Sequence, residues 1–207
     1  TRRSSDLYEG NLEHYFRITM SHATNLKHPY HNFRHIFHVM WLCYAACLFY
    51  RRELSPREMR NLLIAAIFHD FNHSGRTGDD FFNIEVAVLA LRTYATEEDR
   101  PYLGEIEALI RPTEYPYKVD VSTLSLAGQI LRDADSSQAL SVAWVQQIIF
   151  GLSSEMSVTP VKVFEMQEGF LRSLRFATEW ARETFTQEVI EEKIAEAKAY
   201  LTIIRGE

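Results

Sequence analysis

SPREMRNLLIAAIFHDFNHSG, residues 55–75, is the stretch that decides the fold. Ser55 and Glu58 form a capping box around Pro56, which occupies the first helical position, so a helix starts there. Met59, Leu62, Leu63, Ala66 and Ile67 then recur at helical spacing as far as His69. The apolar run Leu62–Phe68 ends in an imidazole and a carboxylate, His69 and Asp70. Such groups are expensive to bury unless they are paired or bind a metal.

The same period extends in both directions. Between about Asn32 and Tyr50, Ile36, Val39, Met40, Cys43, Cys47 and Tyr50 fall on one face. Gly75 and Gly78 interrupt the pattern, and Asp79 or Asp80 can cap a further helix through Phe82, Val86, Leu89 and Ala90. Pro112 and Pro116 bracket a loop, and a helix is expected from about Leu124 to Asp135. Thr159-Pro160 starts another, expected to reach about Glu183, and a last amphipathic helix spans about Gln187 to Ile204. With 8 Gly, 6 Pro, no sustained apolar–polar alternation and no repeats, the chain reads as one all-α bundle forming a single domain over residues 1–207.

Composition narrows the function. A net charge of -6 provides no basic stripe for a nucleic-acid polymer. Cys43 and Cys47 lie four apart on an apolar helix face and read as small core residues in a reducing compartment, so a cytoplasmic location is expected. No apolar run is long enough to span a membrane, and no signal-peptide pattern opens the chain. It begins at Thr1, as a domain excised from a longer protein or a processed chain would.

Four pieces carry chemistry: His31 and His35 in YHNFRH (30–35), His69-Asp70, His73, and Asp135 in DADS (133–136). Together they follow the H…HD…D order of a metal-dependent phosphohydrolase. Imidazole nitrogen and carboxylate oxygen suit zinc, iron or manganese. A site of this kind lowers the pKa of bound water and aims it at phosphorus. His31 and His35 share one face if both are helical. Asp133 and Asp135, two apart, cannot both point at one ion, and spacing does not choose between them. A second ion such as Mg²⁺, held mostly through Asp70 and water, would lie roughly 3.5–4 Å from the first. Histidines not on metal, His31 and His73, are then free to transfer protons or orient water.

These motifs resemble the class I (mammalian-type) cyclic nucleotide phosphodiesterases, part of the HD phosphohydrolase superfamily. YHNFRHIFHV (30–39) is similar to their YHNxxHxxxV signature, and AAIFHDFNHSG (65–75) to an apolar helix followed by HDxxHxG. Asn83-Ile84-Glu85 sits where the family has a glutamate on the next helix, and ADSSQ (134–138) resembles ADLSN, which selects Asp135 over Asp133. QEGFL (167–171) and TEWA (178–181) resemble QxGFI and ETWA, and Trp144 with Ile148 resembles the preceding W…I helix. The resemblance covers about residues 29–200. The segment between Thr93 and Leu124 is shortened and lacks LExHH, and Gln138 stands where Asn is usual.

The resemblance implies an HD-type helical bundle that hydrolyses a 3′,5′-cyclic nucleotide. His35, His69, Asp70 and Asp135 would bind a transition metal (Zn, Fe or Mn), with Asp70 bridging to Mg or Mn at a second, water-rich site. His31 would protonate the leaving 3′-oxygen, steadied by Glu85, and His73 would hold the second metal's water. Gln167 would bind the purine edge between Phe170 and Ile148, with Tyr30 also at the substrate. Two other readings stay open: a phosphatase or nucleotidase for a nucleoside monophosphate or other small phosphate ester, and a non-enzymatic nucleotide sensor on the same scaffold. The partner expected is a small nucleotide or phosphate ester, with no nucleic-acid polymer and no membrane; a homo-oligomer is compatible with the sequence.

Overall fold

Every residue from Met59 to Phe68 is buried, so the helix that opens with the Ser55 capping box is enclosed on all sides. The computed structural model describes residues 7–76, 78 and 80–206. In chain order its helices are α1 (Glu13–His22), α2 (Phe33–Phe49), α3 (Pro56–Phe68), α4 (Phe81–Tyr94) and α5 (Leu103–Ile110). They continue with α6 (Leu126–Ser136), a π-helix (Val145–Leu152) running into α7 (Ser153–Glu155), then α8 (Pro160–Ser173), α9 (Glu179–Thr184) and α10 (Gln187–Arg205). The described residues contain no strand, and no helix among them is long and apolar enough to cross a membrane.

The central helix α3 is packed by α1, α2, α4, α5 and α6. The main apolar core lies around it and includes Val39, Cys43, Cys47, Leu62, Ile67, Leu91, Ile106 and Leu131. Cys43 and Cys47 are buried and unlinked. A second apolar cluster, centred on Trp144, Ile148, Phe164, Leu171 and Ile194, joins the π-helix to α8 and α10.

Three expectations change. The helix expected to run from Thr159 to Glu183 is two, α8 and α9, separated by an extended break at Leu174. A tertiary contact holds the break: the buried Asp133 carboxylate accepts from the backbone N–H groups of Ala177 and Thr178 at 2.9 and 2.8 Å and from the Thr178 hydroxyl at 2.7 Å. Helices α1 and α5 are additional to those that the sequence pattern predicts. Asp80 precedes α4 without capping it, because its carboxylate accepts instead from Asn83 Nδ2, His73 Nε2 and the Tyr115 backbone. The Asp79 alternative lies outside the described residues.

Candidate metal centre

The start of α2 sets the first half of the site. Asn32 is its N-cap, accepting from the backbone N–H groups of Arg34 and His35 at 2.8 and 3.2 Å. This leaves His35 one turn inside the helix, 1% exposed. His31 precedes the cap and only His35 is helical, so the condition for the two to share a helical face is not met. The second half is set by the end of α3, where His69 is the C-cap residue. Asn72, at φ 60°, then reverses the chain, a backbone conformation that Asn tolerates better than most residues. Asn25, fully buried, ties the halves together: its amide donates to the carbonyls of His31 and Asp70, both at 2.8 Å, and its oxygen accepts from the Asn72 N–H at 3.0 Å.

Asp135 comes in from the last turn of α6. His35 Nε2 lies 3.1 Å from both Asp70 Oδ2 and Asp135 Oδ1. His69 Nε2 lies 3.5 Å from Asp70, 3.7 Å from Asp135 and 3.3 Å from His35 Nε2. Asp133, the residue that could not be separated from Asp135 by spacing, faces away on Thr178.

The donor set fits a divalent metal. His69 Nδ1–H donates to the Ala66 carbonyl at 2.8 Å, and His35 Nδ1 lies 3.4 Å from Gln138 Oε1, so both rings turn Nε2 toward the shared centre. Asp70 Oδ2 is buried yet makes no aligned hydrogen bond, although His35 Nε2 is close. Burial opposes charge on both imidazoles, but Asp135 and Asp70 outweigh it and push His35 up to about 10; His69 also rises against burial, chiefly through Asp70. Burial would raise the Asp70 and Asp135 carboxyls, yet the neighbouring histidines hold both well below the usual range. Among the described residues neither carboxylate is paired with Arg or Lys, and the histidines and aspartates gathered here could hold a metal ion.

A second group, His31, Asp70 and His73, also has ligand atoms within 4.8 Å of one another, so Asp70 stands between the two groups. The rings of His31 and His73 stack with centroids 3.5 Å apart. His73 is held through Nδ1, which accepts from the Gly75 N–H, and through Nε2 beside Asp80 and Asn83.

The expected support for His31 is corrected. Glu85 is paired with Arg111 on the outside of α4. Glu155 of α7 takes its place: its Oε2 lies 2.6 Å from His31 Nδ1, while Oε1 accepts from the backbone N–H groups of Tyr30 and His31 at 2.8 and 3.0 Å. No sequence signal marked Glu155, which lies 124 residues away in a turn whose position depends on the π-helix. Gly151 seats that helix, because a Cβ there would stand 2.6 Å from the Pro29 carbonyl oxygen.

The residues expected at a base lie nearby in the second apolar cluster. Tyr30 has ring centroids 4.6 Å from His31 and 4.9 Å from His35, and it packs with Phe170 against that cluster. Ile148 is buried within it. Gln167, 3% exposed, donates from Nε2 to the Val163 carbonyl of its own helix, while its buried Oε1 has no partner among the described residues.

Residues 30–97 match the family model of 3'5'-cyclic nucleotide phosphodiesterase. This supports a cyclic nucleotide phosphodiesterase-like hydrolase. The match includes His31, His35, His69, Asp70 and His73 and stops before Asp135, Ile148, Glu155, Gln167 and Phe170. No curated protein matches the chain.

Proposed function

We propose that the chain is a metal-dependent phosphohydrolase of the HD type that opens the phosphodiester of a 3′,5′-cyclic nucleotide. The observation that carries the reading is the convergence of His35, His69, Asp70 and Asp135 on one buried point, with both imidazoles held by their far nitrogens. These four residues would hold a transition metal, and Asp70 would share a second, more hydrated Mg²⁺ or Mn²⁺. When bound, such ions supply a water of lowered pKa and Lewis acidity toward the phosphoryl oxygens.

The remaining steps belong to side chains. Glu155 fixes His31 through Nδ1, leaving Nε2 to deliver a proton to the departing 3′-oxygen, a role worth typically ~10²–10⁴-fold in rate. Stacking against His73 limits rotation of that ring. Gln167 Oε1, which has no partner among the described residues, would accept from a base edge, with Phe170 and Ile148 flanking the ring. Tyr30 lies between this apolar cluster and the metal centre and would lie beside the sugar or phosphate.

Metal analysis of the purified protein, followed by assays on 3′,5′-cyclic AMP and GMP, nucleoside monophosphates and bis-p-nitrophenyl phosphate with Mg²⁺ or Mn²⁺, tests the reading. Cyclic nucleotide turnover is expected, with loss of both metal and activity in Asp70→Ala. His31→Ala should keep its metal and lose turnover. Gln167→Ala should weaken cyclic nucleotide turnover by about tenfold to a hundredfold, on the order of 1–3 kcal/mol, and spare the artificial diester. Equal loss on both substrates would make Gln167 a packing residue and leave a phosphohydrolase without base selection. Full metal content in Asp70→Ala would overturn the site.

A further inference from the structure

Lys27 and Arg34 stand on the rim of a cavity of about 410 Å³ behind the turn that carries His31, with Pro29, Phe33, Gln146 and Gln147 in its wall. Among the described residues, neither cation has a carboxylate within ion-pair distance. Other cations among the described residues, such as Arg51 and Arg52, also lack such a pair, and Lys27 and Arg34 matter here because both line this one cavity. Two unneutralised cations beside a concave wall focus positive potential into it. The volume falls in the range of small-molecule sites.

The wall offers more than charge. The Phe33 ring stacks on Phe37 at 5.6 Å and 29°, presenting a flat apolar surface. Gln146 and Gln147 bring two carboxamides, each able to donate and accept. Gln147 is 2% exposed, and its Nε2 donates to Asn32 Oδ1 at 3.3 Å, so it is positioned before any ligand arrives. We propose that this cavity is a second ligand site that takes a nucleoside monophosphate, with the phosphate between Lys27 and Arg34 and the base against Phe33 and the two glutamines.

This site is separate from the metal centre and contains none of the residues assigned to it. The intervening turn is tightly seated: Asn32 donates to the carbonyls of His28 and Pro29 while capping the helix that carries His35, and Gly151 lies under the Pro29 carbonyl. A ligand in the cavity therefore bears on the turn that carries Tyr30 and His31. Binding does not depend on the proposed reaction, so a protein that hydrolyses no cyclic nucleotide would still bind here.

Calorimetry on chelator-treated protein tests the site without the metal centre's own affinity for phosphate, using 5′-AMP, adenosine and inorganic phosphate as probes. Saturable 5′-AMP binding is expected, retained in Asp70→Ala and Gln167→Ala. It should weaken by about tenfold or more in Lys27→Glu and Arg34→Glu, which are surface changes that leave the thermal midpoint unchanged. Arg34→Ala serves if the charge reversal lowers the midpoint. Adenosine and phosphate should each bind more weakly than 5′-AMP. Absence of saturable binding, insensitivity to both cations, or loss in Gln167→Ala but not in Arg34→Glu overturns the proposal. Phosphate binding as tightly as 5′-AMP would reduce the cavity to a bare anion site and overturn the nucleoside assignment.

Discussion

Asp99 and Asp70 are both carboxylates drawn out of water, at 0% and 11% side-chain exposure, and their surroundings follow opposite rules. Asp99 receives Arg60 Nε and Nη2, both at 2.8 Å, Arg57 Nη1 at 2.7 Å, the Tyr15 hydroxyl at 2.5 Å and the Thr96 hydroxyl at 2.8 Å. Both oxygens are satisfied, and α1, α3 and the Thr96–Asp99 turn are tied at one point. Asp70 faces imidazoles and a second carboxylate, and its Oδ2 makes no aligned hydrogen bond. The first cluster is complete without a ligand. The second leaves a carboxylate oxygen without an aligned partner among the described residues, and its histidines and aspartates could hold a cation. What separates the two clusters is the unmet bonding capacity, not the presence of buried charge.

Removing one partner from each cluster gives the largest test. Asp99→Ala or Arg60→Ala should cost roughly 3–5 kcal/mol in urea unfolding, because each strands buried charge. Asp70→Ala in chelated protein should cost less, since the His35 imidazole that it pairs with keeps Asp135 as a second carboxylate partner. Equal losses would break the comparison.

Metal should act on one cluster only. Adding Mn²⁺ or Zn²⁺ at about 100 times its dissociation constant should stabilise the wild type by about 2.7 kcal/mol. A thermal midpoint measured with and without metal should show that gain lost in Asp135→Ala and kept in Asp99→Asn.

Acid and base should act on the Asp99 cluster. Burial works against its ionised form, but Arg60 outweighs this and, with the Tyr15 and Thr96 hydroxyls, holds the Asp99 carboxyl well below its usual range. Its contribution is present above the unfolded value of ~3.9 and lost as pH falls toward the lower folded value. Burial, then the bond to Asp99, raises the Tyr15 phenol to about 12. That contribution is complete below ~10 and lost as pH rises toward the folded value. Urea midpoints across pH should show the stability gap between wild type and Asp99→Asn closing below about pH 4. A constant gap would contradict the assignment.

The smallest effect expected is at Gln138, 3.4 Å from His35 Nδ1. Gln138→Ala should lower metal affinity by about tenfold to a hundredfold with little change in metal-free stability. Unchanged affinity in a metal titration would remove Gln138 from the support of the site.

By itself, the sequence determined what depends on neighbours along the chain. The Ser55–Glu58 capping box is present as read, with α3 following it. The apolar face of α2 is the buried one. His69 and Asp70 close an apolar helix, so their types and order could be recognised as chemistry before any contact was known. Only the tertiary structure decided the partners. The stretch from Thr159 to Glu183 has a continuous helical pattern, and it breaks where Asp133, far away in sequence, holds Ala177 and Thr178, the latter being the N-cap of α9. The sequence resemblance pointed to Glu85 and gave no sign of Glu155, but α4 presents the first to Arg111 while the turn after the π-helix brings the second to His31. Periodicity and capping are set by residues three or four apart, whereas ion pairing is set by which helices meet, and a linear reading carries no information about that meeting.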